Sequence, residues 1–190
     1  MSPIAKASIS AFLASRNGQF ILFKYAVYLL LVADIYLFAL HGTPTQVLDT
    51  FAWVVMLALF EWELWAKHAG RNIRLETAAI RAIRALAYAT ILYSCSRFFL
   101  EGEWLCFANE ATWILVVLTL QYGDRMPGDA VRSVVKALLY AALGAFMVFW
   151  GVEGELLDSY DAFLWIVAFL TIEYNVFGFE HFPLGETERG

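Results

Sequence analysis

Apolar residues gather along this chain in six long stretches: Phe20–Leu40, Val47–Trp65, Ile83–Leu100, Trp104–Tyr122, Val134–Trp150 and Leu157–Tyr174. Each approaches the roughly 20 residues a helix needs to cross a bilayer. No proline interrupts them. Pro3, Pro44, Pro127 and Pro183 lie in tails and connections. Lipid offers no partner to an open backbone, so the pattern predicts six continuous transmembrane helices and an all-α membrane protein. Ahead of them, within residues 1–19, Ile4, Ile9, Phe12 and Leu13 face away from Lys6 and Arg16. That amphipathic arrangement predicts an interfacial helix lying on the membrane and ended by Asn17-Gly18. Residues 20–178 then form the transmembrane domain, and residues 179–190 a cytoplasmic tail.

The polar positions between and within these stretches recur. DTFAWVVMLALFEW (Asp49–Trp62), NEATWILVVLTLQY (Asn109–Tyr122) and DAFLWIVAFLTIEY (Asp161–Tyr174) share Asp or Asn, then Trp, then Glu or Gln beside an aromatic residue. Lys24, Arg84 and Lys136 each stand 37 residues before Glu61, Gln121 and Glu173, and Tyr28, Tyr88 and Tyr140 each follow the basic residue by four. His41, Glu101 and Glu153 each stand 17 after it. Self-similarity at fixed spacing marks repeated units. The expectation is three helical hairpins, at residues 20–66, 80–123 and 132–176, in a pseudo-threefold bundle.

Charge orients the bundle. Of the 13 basic residues, 12 fall at the termini, the even-numbered connections or the span ends beside them; Arg97 alone lies towards the other side. The opposite turns, HGTPTQVLD, EGEW and GVEGELLDSYD, are acidic. Basic residues mark the cytoplasmic face, so both termini are expected there, in a plasma or inner membrane. Composition agrees: 61% of residues are hydrophobic and 16% charged, against roughly 45–50% and 25% in soluble domains. The net charge of -5 excludes a basic face for nucleic acid.

Candidate chemistry is sparse. Each Asp/Asn-to-Glu/Gln interval in the even spans covers 12 residues. At about 1.5 Å per residue that is roughly 18 Å, well short of a hydrocarbon core roughly 30 Å thick. At least one set of polar ends is therefore expected inside the bundle, where such groups need partners. Lys24–Glu61, Arg84–Gln121 and Lys136–Glu173 are expected to clasp each hairpin, fixing register or forming a gate ring. Asp34 and Arg97 break the repeat in the outer half of their spans and are expected to pair with each other. With Asp49, Asn109, Glu110 and Asp161 they form a candidate outward vestibule or pathway.

Cys95 and Cys106 flank the turn at Glu101–Glu103 and are expected as free, partly buried thiols. His41, His68 and His181 lie outside the spans, and no metal, phosphate or nucleophile motif occurs, so no cofactor and no enzyme activity is expected. The resulting expectation is a non-catalytic subunit, scaffold or assembly factor of a membrane complex. Its partners would be lipid, other membrane subunits or further copies of itself. The alternative is a small ion or proton channel or transporter that uses the acidic vestibule and the clasps.

Overall fold

The computed structural model describes residues 16–68 and 78–178. These are all-helical and contain no strand: α1 (Arg16–His41), α2 (Pro44–His68), α3 (Ala78–Glu101), α4 (Trp104–Tyr122), a 3-10 turn (Gly123–Arg125), α5 (Asp129–Glu153) and α6 (Leu156–Gly178). The expected interfacial helix and the tail lie outside the described residues, apart from one difference. Asn17 and Gly18 sit inside α1 and do not end a helix before it. A single glycine costs a helix only about 1 kcal/mol, which the apolar run starting at Phe20 offsets by extending the packed helix backwards.

α1 with α2, α3 with α4, and α5 with α6 are joined by two-residue turns, so each pair is an antiparallel hairpin. Local chemistry dictates these turns. Gly102 and Gly154 take the left-handed φ of +80° and +89°. Each lets the next N–H reach back to close the helix end, Glu103 to Phe98 O and Glu155 to Trp150 O, both at 2.9 Å. The first turn closes differently. Gly42 N–H bonds to Phe38 O at 2.8 Å, and a Cβ on Gly42 would meet the Phe38 ring at 2.6 Å. Thr43 and Gln46 then cap α2 reciprocally: Thr43 N–H donates to Gln46 Oε1 at 2.8 Å and Gln46 N–H to Thr43 Oγ1 at 3.3 Å. Pro44 takes the first helical position, where a missing N–H costs nothing.

Each helix packs against its two sequence neighbours, and α1 packs against α6, so the bundle closes into a ring. Odd and even helices contribute differently. α1 buries the stripe Val27, Leu31, Asp34 and Phe38, and α3 the stripe Ala87, Ile91, Ser94 and Phe98, with large apolar side chains left outward. The even helices bury wider faces and carry Trp53, Trp113 and Trp165 into the core. Trp53 meets Trp165 with ring centroids 6.2 Å apart, and Phe169 meets Trp53 at 6.4 Å and Trp113 at 4.8 Å. Leu31, Met56, Ile91, Leu143 and Val116 complete the packing around these rings.

The outer surface is apolar around the circumference, with Leu29, Leu92, Leu115, Leu138, Val148 and Leu170 among its exposed residues. α1, α4 and α5 are long and apolar enough to cross a membrane. α2, α3 and α6 carry ionisable residues too, among them Glu61, Arg84 and Glu173.

Candidate functional site: a buried acidic cavity

At the end of the bundle that holds the hairpin turns, a half-open cavity of about 30 Å³ lies between the helices. Its wall is built in tiers. Phe38, Phe98 and Trp150, in the last turns of the odd helices, form one tier. Gln46, Cys106 and Asp158, on the first turns of the even helices, form the next. Asp49, Asn109 and Asp161 lie one helical turn deeper, with Thr50 and Glu110 beside them. The sequence reading singled out the Asp49 tier and Glu110 and missed the other two. The missed signal was the same spacing: Phe38, Phe98 and Trp150 each stand 14 residues after Lys24, Arg84 and Lys136, and Gln46, Cys106 and Asp158 each stand 22 after them.

The polar groups of this cavity are poorly supplied with donors. One carboxyl or amide oxygen in each of Asp49, Asn109 and Asp161 is buried without a hydrogen-bond partner among the described residues. Asp34 lies in the wall just behind, on α1, at 0% exposure, and neither of its oxygens has a donor. Its carboxyl faces that of Asp161, and the Asp49 carboxyl faces that of Glu110. Ser94, at the matching depth on α3, is also fully buried with an unpartnered Oγ. Two groups are tied down. Trp53 Nε1 donates to Glu110 Oε1 at 2.9 Å, and Gln46 Nε2 donates to Asp158 Oδ1 at 2.8 Å, bonding α2 to α6.

No basic side chain among the described residues lines this cavity. Arg97, expected beside Asp34, is instead paired with Glu101 one helical turn away, with 43% of its side chain exposed. The local partner wins because an i,i+4 pair leaves both charges partly hydrated, whereas reaching Asp34 would strip the guanidinium of water. Among the described residues, no three His, Cys, Asp or Glu side chains are arranged to hold a metal ion, and Cys95 and Cys106 are free thiols. His181 lies outside the described residues.

At the opposite end, Lys24 Nζ donates to Glu61 Oε2 at 2.9 Å, and Lys136 forms the corresponding ion pair with Glu173. Each carboxylate takes a second bond from the tyrosine one turn along: Tyr28 Oη donates to Glu61 Oε1 at 2.6 Å and Tyr140 Oη to Glu173 Oε1 at 2.7 Å. The middle hairpin departs from the expected Arg84–Gln121 clasp. Arg84 forms its ion pair with Glu63 of α2, while Gln121 Nε2 donates to Tyr88 Oη at 2.6 Å. Gln121 carries no charge, so the guanidinium is better satisfied by the carboxylate on the neighbouring helix. Between clasps and cavity, the Trp53, Trp113, Trp165 and Phe169 rings fill the axis.

These parts hold a polar chamber at one end, an aromatic plug at mid-height and charged ties at the other end. The chain has no match among protein-family models, curated proteins or solved structures.

Proposed function

We propose that the chain is an integral membrane protein of six spans, built as three copies of one hairpin with both termini on the cytoplasmic side. It acts without catalysis, as a subunit, scaffold or assembly factor of a membrane complex. The six-span reading is supported by the two-residue turns. If α1, α4 and α5 cross the bilayer, their antiparallel partners must run back through it. The ionisable residues of α2 and α6 that would oppose this are turned inward, onto Lys24, Lys136 and the cavity. Three copies are supported by the buried residues, which match at equal offsets: Leu31, Ile91 and Leu143; Met56, Val116 and Ala168; Trp53, Trp113 and Trp165.

The observation that carries the non-transporting reading is the aromatic plug. Below the cavity interlocking rings fill the core, and the buried Thr119 and Thr171 beyond them are isolated polar groups, Thr171 Oγ1 donating to Val167 O of its own helix at 2.7 Å. Rigid aromatic packing of that kind suits a part that holds others in place. The test is reconstitution of the full chain into liposomes with proton, sodium and potassium reporters, alongside mild-detergent purification from the native membrane. Silence under every gradient and a stoichiometric membrane partner are the expected results. A reproducible, protein-dependent flux would overturn the reading in favour of a channel or transporter, the second reading, which the acidic cavity favours.

A further inference from the structure

We infer that the cavity is a proton-binding site, in which the Asp34–Asp161 and Asp49–Glu110 carboxyl pairs each hold one proton between them. Two ionised carboxylates pressed together in a medium of low dielectric repel strongly, and neither can donate to the other. A shared proton turns the contact into a short O–H···O⁻ hydrogen bond. The fully buried Asp34, both of whose oxygens lack a donor, carries the assignment. A side chain so placed needs either a proton or a cation. The donor set decides between them: among the described residues, no three acidic, histidine or cysteine side chains are arranged to hold a metal ion. The geometry is pairwise.

Among the described residues, no packed element brings a basic side chain to these carboxyl pairs. α1 presents Asp34 and α2 presents Asp49, while α3 brings the Cys95 thiol and the Ser94 hydroxyl close. α4 adds Cys106 and Glu110, α5 only the Trp150 ring, and α6 Asp158, Tyr160 and Asp161. All the ionisable groups are acids, so none supplies a countercharge. Asp158 already accepts from Gln46, and Glu110 from Trp53. The site holds whether the bundle is a static subunit or moves ions, because it concerns occupancy and not passage.

The test is infrared spectroscopy of the full chain in lipid vesicles at neutral pH. The expected result is a C=O stretch of protonated carboxyl groups. It should fall by about half in Asp34→Asn and by about half in Glu110→Gln, and vanish in the double variant, because each amide supplies the donor in place of one proton. The wild-type spectrum alone can overturn the proposal: absence of the protonated band does so even if a variant fails to fold. So does a band of equal intensity in wild type and both single variants. A wild-type spectrum of ionised carboxylates that shifts on adding sodium or calcium would assign the cavity to a metal ion and equally overturn it.

Discussion

Single side chains carry unequal weight in this bundle, and their partners say which matter. Trp53 fills the plug and also donates to Glu110. Trp53→Phe leaves that acid short of a donor, which costs about 1–3 kcal/mol beyond the loss of ring volume. Trp113→Phe keeps the Glu110 bond, so unfolding in mixed micelles should show the first variant to be clearly the weaker. The three tyrosines grade in the same way. Tyr28 and Tyr140 bond to carboxylates and Tyr88 to a neutral amide. Tyr28→Phe and Tyr140→Phe should each cost about twice as much as Tyr88→Phe, since hydrogen bonds to charged groups are worth roughly 1.5–3 kcal/mol against about 1 for neutral ones. Much of this was legible in the sequence. A residue four positions after Lys24 lies on the same helix face, so Tyr28 had to stand above the clasp. Arg97 was not read correctly, although Glu101 stood four positions on.

Helices and their hairpins form the next level. The 37-residue spacing could be read as a pairing because a tight antiparallel turn fixes which residues lie opposite. Once Gly102 and Gly154 close their helices, the residues that lie opposite follow by counting, although Arg84 then takes Glu63 of α2 as its partner. Gly102→Ala and Gly154→Ala should each destabilise by about 1–2 kcal/mol, the cost of a left-handed conformation with a Cβ. Thermal unfolding of the purified variants checks this. A double-mutant cycle on Lys24 and Glu61 addresses the clasp. Lys24→Met alone strands a buried carboxylate, whereas Lys24→Met with Glu61→Leu removes both charges, so the double variant should be more stable than the sum of the singles implies. The Arg84–Glu63 pair joins different hairpins and depends on how α2 packs on α3. No spacing rule within one hairpin could have revealed it. The cavity escaped for a related reason: its wall is assembled from three hairpins, and only the packed bundle shows which tiers meet.

The molecule as a whole is a ring with an apolar exterior and two unlike ends. The proposed orientation places the basic residues near the termini and the even-numbered connections on the cytoplasmic side. Single cysteines placed at Gly102 and at Glu155, in a background lacking Cys95 and Cys106, should react with a membrane-impermeant maleimide from outside intact cells. A cysteine at Arg125 should react only after the membrane is opened. Labelling of all three from one side would refute the six-span arrangement.

The contact between Gln46 and Asp158 joins residues 112 apart along the chain. It therefore bears on how the protein is made. Hairpins can assemble as they emerge, but α1 has no neighbour on its far side until the final helix arrives. Until then, Asp34 and its stripe face lipid or whatever shields them. An intermediate of four helices is an open arc with a polar edge, the kind of species that membrane quality control recognises. Chains cut after Tyr122 should be degraded rapidly, and pulse-chase labelling should show them rescued when α5 and α6 are supplied as a separate fragment. The last hairpin would then be the step that commits a newly made chain to persist.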